Sequence, residues 1–436
     1  MSKKVLIVGG GGRECAIAKK IHKQSPEVEI FIAPGNGGTE EFATNIPIKP
    51  TEIDGLVKFA KENKIDLTIV GPDDPLALGI VNIFRENSLK IFGPSKAAAE
   101  IEWSKAFAKG LMERAEVPTA KSEIFQEHKK ALDYVRKHGA PIVVKASGLA
   151  AGKGAYVCET IKEAEAALHE IMKENVHGKA GEEVVVEDFL DGPEFSVHVL
   201  CDGKNFVVFP PAQDHKRIGE NDSGPNTGGM GTIAPVPWVT EEMMQEITDK
   251  IIKPTLEQMV NEGRPFTGLL FPGIKWTKDG PKVLEYNARF GDPETQVFMR
   301  LLESNLLELL EACADGKLNK VFVEWKKEFA ACIVLASGGY PNKYETEYLI
   351  NGIDEAEKLN NVQVYHAGTK MTPEGVVTSG GRVLNVTATG SELSSALSLA
   401  YEAVEKVKFK NEYHRLDIGK SSLEKLEGAK TEIINK

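Results

Sequence analysis

The run VLEYNARFGDPETQ, residues 283–296, sets an oxygen-rich strand against a sharp turn, and the rest of the chain is organised around it. Glu285 and Asn287 occupy alternate positions of a short apolar segment. Strand side chains two apart share a face, so a carboxylate and an amide carbonyl stand side by side. That pair suits a hard cation such as Mg2+, which takes a few protein oxygens and completes its shell with water and phosphates. Arg289 follows, a permanently charged planar fork suited to a carboxylate or phosphate oxygen. Gly291-Asp292-Pro293 predicts a turn, and Glu294 comes next. The plainer reading is a charged strand end with an ordinary Gly/Asp/Pro turn.

The chain has 436 residues and is 42% hydrophobic, enough for about three domains at roughly 150 residues each. A formal net charge of -11 gives no support for a nucleic-acid or anionic-membrane surface, while local basic pockets for small anions stay open. The five cysteines, Cys15, Cys158, Cys201, Cys313 and Cys332, form no CxxC pair and no disulfide framework, which fits a reducing cytoplasm. The opening MSKKVLIVGGGG has too short an apolar run for a signal peptide, and no stretch reaches the length of a membrane span. A soluble cytoplasmic protein without nucleic-acid or membrane partners is expected.

The first hundred residues alternate strand and helix signals: strands at 5–8, 29–33 and 67–70, helices at 13–24 and 51–63. This pattern predicts a parallel α/β unit, whose ligands bind at the carboxyl ends of the strands. Those ends are Gly9 to Gly12, Pro34 to Gly38, and Gly71 to Pro75. The first fails the dinucleotide fingerprint, because Glu14 or Cys15 stands where its last glycine or alanine belongs. A glycine-rich turn before a helix still offers backbone N–H groups to an anion. A site for a phosphorylated small molecule is expected there, with a purely structural tight turn as the alternative.

WSKAFAKGLMERAEVP, within 94–119, predicts one helix with Lys105 and Lys109 on one side, by default as solvated surface lysines. A helix over 129–138 and a strand over 141–146 ending near Lys145 come next, then Gly148 to Gly154 and a strand at 155–158. A glycine-rich hairpin with Lys153 between Gly152 and Gly154 can fold over phosphates. Its spacing is not that of a P-loop. The strand 183–189 enters Leu190-Asp191-Gly192-Pro193, and Glu194 opens EFSVHVLCDG. Glu187 and Glu194 flank this connection, an arrangement compatible with adenine on the linker backbone and ribose on the second carboxylate, or with a common acid-ended hairpin. Residues 210–237 hold five glycines and five prolines with little apolar periodicity, which predicts a long functional loop around QDHKR and NTGGMG.

Lys145, the hairpin KASGLAAGKG, the connection VEDFLDGPE and the strand LEYNARFGDPE together resemble the ATP-grasp superfamily. RFGDPETQ at 289–296, DHKR at 214–217 and GPNTGGMG at 224–231 narrow the resemblance to the phosphoribosylamine–glycine ligase (glycinamide ribonucleotide synthetase) family. GGGGRE near the start, GPDDPL at 71–76, and LASGGYP and TSGGRVLNVTA near the end extend it over essentially the whole chain.

The resemblance implies an enzyme of de novo purine biosynthesis that joins glycine to 5-phosphoribosylamine, with ATP giving ADP and phosphate through a glycyl phosphate. It implies ATP and Mg2+, with Mn2+ as a substitute, and a monomer. By position, Glu285 and Asn287 would hold the metal, and Lys105, Lys145, Gly152, Lys153 and Gly154 would meet the phosphates. Glu187, Leu190 and Glu194 would frame adenine and ribose. Arg289 would take the glycine carboxylate, Asp292 and Asp214 its ammonium, and Gly10, Gly11, Gly12 and Asn36 would approach the phosphoribosylamine. Three features depart from the family pattern. Cys15 replaces a usual His, Ser147 replaces a usual Asp, and no acid lies about thirteen residues before Glu285 to add a metal ligand.

The C-terminal part predicts strands at 329–335, 362–366 and 382–388 and a helix over 391–407, a small α+β domain without an evident catalytic cluster. His366 and Gly380-Gly381-Arg382 read as turns beside strands rather than as a closing rim. The final KLEGAKTEIINK reads as a loosely held tail. The expected multidomain α/β and α+β architecture is an N-terminal parallel α/β domain at 1–103, an ATP-grasp lid subdomain with its linker helix at 104–193, a metal-bearing catalytic subdomain at 194–327, and a C-terminal domain at 328–436. Two rival functions share these features: an ATP-dependent carboxylase acting on a purine nucleotide, and a nucleotide-binding protein without ligase activity.

Overall fold

A computed structural model describes residues 2–150 and 154–434. Among them the first sheet is parallel and five-stranded, in the order Thr44–Asn45, Glu29–Pro34, Lys4–Gly9, Leu67–Val70, Ile91–Phe92. Leu6 and Val8 face a core that includes Leu56 and Phe84, whereas Val5 and Ile7 face one that includes Ile17 and Phe298. Both faces are covered, so the strand reads as an unbroken apolar run. The strand order reverses between Lys4–Gly9 and Leu67–Val70, and the loops leaving these two strands flank the crevice where such sheets bind ligands.

The next unit is an antiparallel sheet in the order Ser122–Phe125, Val184–Asp188, Ile142–Ala146, Ala155–Cys158. Helices His128–His138 and Ile161–Met172 cover it, and Ile142, Val144, Leu168 and Val186 share its separate core. A capping box starts the second helix: Thr160 Oγ1 accepts the Glu163 N–H at 3.2 Å, and Glu163 Oε2 accepts the Thr160 N–H at 3.3 Å. The catalytic-side sheet is built on the long strand Thr267–Thr277, which pairs with Glu194–Ser196, Val199–Asp202 and Gly280–Asn287.

The helix expected in WSKAFAKGLMERAEVP is Lys105–Arg114; a separate helix, Lys96–Trp103, precedes it, and the hydroxyl of Ser104 between them caps the second by accepting the Phe107 N–H at 3.1 Å. Three expectations are corrected here. Lys109 is not a surface lysine; it is 7% exposed. The region 210–237 is not a plain loop. Gln213–Asp214 and Gly231–Ala234 are strands of the C-terminal sheet, alongside Phe329–Ser337, Arg382–Gly390 and Val362–His366. These two pieces are too short to show alternation, and their burial comes from neighbouring strands. The end of the chain is the helix Lys420–Ile434, anchored where Ser422 Oγ accepts from Trp238 Nε1 at 3.0 Å and donates to Gln213 Oε1 at 2.7 Å. No described helix is long and apolar enough to cross a membrane.

Candidate active site

The four units close around a cleft of about 980 Å³, walled by Arg13, Lys145, Glu194, Glu285, Arg289 and Arg382 among others. Gly280–Asn287 supplies the floor. Glu285 and Asn287 lie opposite Gly273 and Phe271 of the neighbouring strand, so no second acid stands there. Burial opposes charge on Glu285, yet Lys216, Lys105, Lys145 and Arg289 hold its carboxyl down at about 2. Asn287 Oδ1 accepts from Arg289 Nη2 at 3.1 Å and keeps a second lone pair. An ionised carboxylate beside an amide oxygen fits a hard cation that draws its other ligands from phosphate and water. No group of three or more His, Cys, Asp or Glu side chains among the described residues is arranged to hold a metal by itself.

Lys145, at the end of its strand, forms an ion pair with Glu187 Oε1 and donates to the Leu284 carbonyl at 3.0 Å. Lys109 reaches Glu187 Oε2 at 2.5 Å and is further tied to Thr119 Oγ1 and the Ala120 carbonyl. Burial disfavours the Glu187 carboxylate, but Lys145 and Lys109 outweigh it and lower its pKa. The Glu187 carboxylate is therefore committed to two lysines. Leu190 lines the cleft next to it on the connecting segment. Lys216, which carried no sequence-based role, bonds Glu194 Oε1 at 2.6 Å and lies 3.7 Å from Glu285 Oε1. Burial would lower its ammonium pKa; Glu194 and Glu285 reverse this and raise it. Burial lowers that of Lys105. Gly154 is at the hairpin base, where its carbonyl accepts the Ala146 N–H at 2.8 Å; Gly152 and Lys153 lie outside the described residues.

Arg289 projects from the strand end with Nε 3.2 Å from Glu102 Oε1 and Nη1 3.3 Å from the Phe290 carbonyl. Burial pushes Glu102 up to about 7 against the pull of Arg289. Asp292, in the turn, accepts from Gln296 Nε2 at 2.7 Å and pairs with Arg382 Nη2 at 3.2 Å. Burial opposes its charge and Arg382 restores it, so its carboxyl lies below the usual range. Asp214 is the opposite case, because burial and the neighbouring Glu294 carboxylate raise it well above that range. Its Oδ1 is buried without a hydrogen-bond partner among the described residues. Gly229, at φ +112°, packs against it where a Cβ would come within 2.5 Å of that oxygen.

The N-terminal turn is tightly packed. The Gly11 N–H already donates to Glu14 Oε2 at 2.7 Å. A Cβ at Gly10 would fall 2.6 Å from the Gly35 carbonyl, and one at Gly12 would fall 2.6 Å from Gln296 Nε2. Asn36 is buried, donating to the carbonyls of Gly10 at 3.0 Å and His366 at 2.9 Å. Arg13 reaches the cleft from the same turn and donates to the Phe290 carbonyl at 3.0 Å. Cys15 is 1% exposed and burial pushes its thiol up to about 12, so it is a core residue and not part of the rim. Ser147 accepts from the Lys105 and Ala106 N–H groups, the first through its carbonyl and the second through its hydroxyl.

Family models described as the phosphoribosylglycinamide synthetase N domain, ATP-grasp (A) domain and C domain match residues 3–102, 103–295 and 330–421. The chain belongs to the phosphoribosylglycinamide synthetase family. Within this family it is 49% identical over 420 residues to the phosphoribosylamine–glycine ligase of Vibrio parahaemolyticus, covering 95% of this chain and 97% of that one. The crystal structure of the Thermotoga maritima phosphoribosylamine–glycine ligase superposes with a TM-score of 0.82 at 33% identity, covering 95% of this chain and 100% of that one. The fold, though not the family, extends to the biotin carboxylase domain of Hydrogenobacter thermophilus 2-oxoglutarate carboxylase in complex with MgADP and bicarbonate. That match has a TM-score of 0.71 at 18% identity and covers 95% and 92% of the two chains. A parallel N-terminal sheet, ATP-grasp antiparallel sheets and a C-terminal domain are common to the family and this chain.

Glu102, Glu294 and Arg382 went unassigned in the sequence. The motif RFGDPETQ brought Glu294 near a functional reading, and Arg382 lies in TSGGRVLNVTA but was read as part of a turn; Glu102 lies in a segment that carries no local signature.

Proposed function

We propose that this protein ligates glycine to 5-phosphoribosylamine with ATP, giving glycinamide ribonucleotide, ADP and phosphate, the reaction its relatives are named for. The observation that carries the reading is the single cleft in which Lys145, Glu285 and Arg289 converge. A carboxylate resists attack by an amine until one oxygen becomes a good leaving group. The glycine carboxylate oxygen therefore attacks the γ-phosphorus, an O–P bond forms as ADP departs, and glycyl phosphate results. The amine then forms the C–N bond while the C–O bond to phosphate breaks.

The protein's part is positioning and electrostatics. Lys145 and Lys105 meet the phosphates, Lys153 is assigned to them from its place in the sequence alone, and Glu187 keeps Lys145 oriented. Leu190 and Glu194 border the adenine and ribose positions. Arg289 binds the glycine carboxylate with its fork, and Asp214 and Asp292 meet the ammonium. Gly10, Gly11, Gly12 and Asn36 shape the phosphoribosylamine end. Glu285 and Asn287 would hold Mg2+, or Mn2+ in its place, and such an ion would offset the charge of the phosphates.

A monomer in a reducing cytoplasm belongs to the same proposal, and light scattering on a sizing column tests the first part. Units at 1–103, 104–193, 194–327 and 328–436 are its working division, with the two short mid-chain strands lent to the C-terminal sheet. Mass spectrometry of reactions lacking one substrate at a time tests the activity. Glycinamide ribonucleotide must require ATP, glycine and phosphoribosylamine together; ADP release driven by bicarbonate in place of glycine supports the carboxylase alternative.

A further inference from the structure

Arg289 is the side chain on which the glycine reading depends, and its surroundings contain more carboxylates than it can serve. Asp73, Glu102, Asp292 and Glu294 all lie close enough to act on its charge. A partly buried guanidinium among several acids has alternative rotamers unless one partner claims a defined edge. Glu102 does so, with Oε1 3.2 Å from Nε. Its other oxygen accepts the Ala288 N–H at 2.7 Å, so one 8%-exposed carboxylate grips both the backbone and the side chain of the Ala288-Arg289 segment. The remaining bonds of the guanidinium, to Asn287 Oδ1 and the Phe290 carbonyl, fix its plane. Its face lies over the Phe271 ring, 5.8 Å from the centroid. With Nε engaged by Glu102 and one N–H of each Nη spent on Asn287 and Phe290, one N–H on each of Nη1 and Nη2 is left for a paired contact with an incoming carboxylate.

Glu102 also occupies a joint. It lies one residue before the end of helix Lys96–Trp103, and the break at Ser104 leads into the helix that carries Lys105 and Lys109. A bond from that joint to the Ala288-Arg289 segment links the lid's root to the strand beside the metal-binding face.

We propose that Glu102 is a positioning residue for the ligase reaction, locking Arg289 so that its Nη edge is presented to the glycine carboxylate. This rests on the reading of Arg289 as the glycine-carboxylate ligand. Glu102→Gln keeps the shape and one acceptor but removes the charge, Glu102→Ala removes both, and Arg289→Ala removes the group being positioned. Steady-state kinetics with glycine and ATP varied separately, on variants whose thermal unfolding is also measured, are the test. Expected is a rise in KM for glycine of about tenfold or more in Glu102→Ala and a smaller rise in Glu102→Gln, with KM for ATP within about twofold of the parent. The double variant Glu102→Ala/Arg289→Ala should lose no more glycine affinity than Arg289→Ala alone.

A glycine KM unchanged in both Glu102 variants, with Arg289→Ala impaired, overturns the positioning role and leaves the Arg289 reading intact. A glycine KM unchanged in Arg289→Ala overturns that reading itself. Should Glu102→Ala fail to fold, Glu102→Gln decides alone, because a purely structural role would lower its melting temperature without raising the glycine KM.

Discussion

Arg382 Nη2 stands 3.2 Å from Asp292 Oδ2, and Nη1 of the same guanidinium donates to the carbonyls of Gly228 at 2.6 Å and Asp292 at 2.7 Å. One side chain of the C-terminal domain thereby joins the RFGDPE turn to the GPNTGG loop. Arg382→Ala takes the nearest counter-charge from the partly buried Asp292 carboxylate and leaves it Arg13 and Arg289, so the loss is smaller than the about 3–5 kcal/mol of a fully buried broken pair. Urea unfolding should show a destabilisation below that figure, and kcat/KM for glycine should fall about 100-fold or more. Arg382→Lys keeps the charge but not the fork and should lie between the two.

The two lysines on Glu187 are not equivalent. Both line the cleft, but Lys145 donates to the Leu284 carbonyl of the strand that carries Glu285, whereas Lys109 is also held by Thr119 and Ala120. Lys145→Met should raise KM for ATP or lower kcat by about 100-fold or more. Lys109→Met should act mainly on stability, with a much smaller effect on turnover. Equal kinetic losses in the two variants would contradict this division.

Glu285→Ala removes the one carboxylate on the proposed metal-binding face and should abolish turnover at ordinary Mg2+ concentrations while the melting temperature stays near the parent's. Chelation of divalent ions should silence the parent in the same way. A folded Glu285→Ala enzyme with near-normal turnover and an unshifted Mg2+ requirement would remove the assignment.

Stability should depend on pH through His215. Burial, followed by Arg415, depresses its pKa from 6.5 to about 4. Its Nε2 accepts the Gly419 N–H at 3.1 Å, so the proton resides on Nδ1, which faces the Gly231 carbonyl at 3.1 Å. A depressed histidine favours the folded state only while neutral. Its contribution is complete above the unfolded value near 6.5 and is lost as pH falls towards 4, at about 1.4 kcal/mol per pH unit. Urea denaturation between pH 7.5 and 4.5 should show this slope, and His215→Gln should flatten it. An unchanged slope in that variant would place the acid sensitivity elsewhere.

Much of the fold was legible because buried parallel strands are continuous apolar runs: Leu67–Val70 and Val362–His366 have the boundaries their sequences suggest. The separate helix Lys96–Trp103 and its junction at Ser104 were not, since Ser104 divides the two helices with neither proline nor glycine and acts through its capping hydroxyl. The closing helix was also hidden, because Ser422 is anchored by Trp238 and Gln213, far earlier in the chain. The same contrast holds in the cleft. Glu285 and Asn287 share a strand and Arg289 follows two residues past its end, so their spacing alone suggested chemistry. Glu102 meets Ala288 across 186 positions and Arg382 meets Asp292 across 90, contacts that only the folded chain creates.

Supplying glycine labelled with 18O in its carboxylate, together with unlabelled ATP and phosphoribosylamine, tests the central claim that the cleft activates glycine by phosphoryl transfer. The inorganic phosphate released should carry one labelled oxygen per glycinamide ribonucleotide formed. Product accompanied by unlabelled phosphate would show that no glycyl phosphate forms, and would contradict the account.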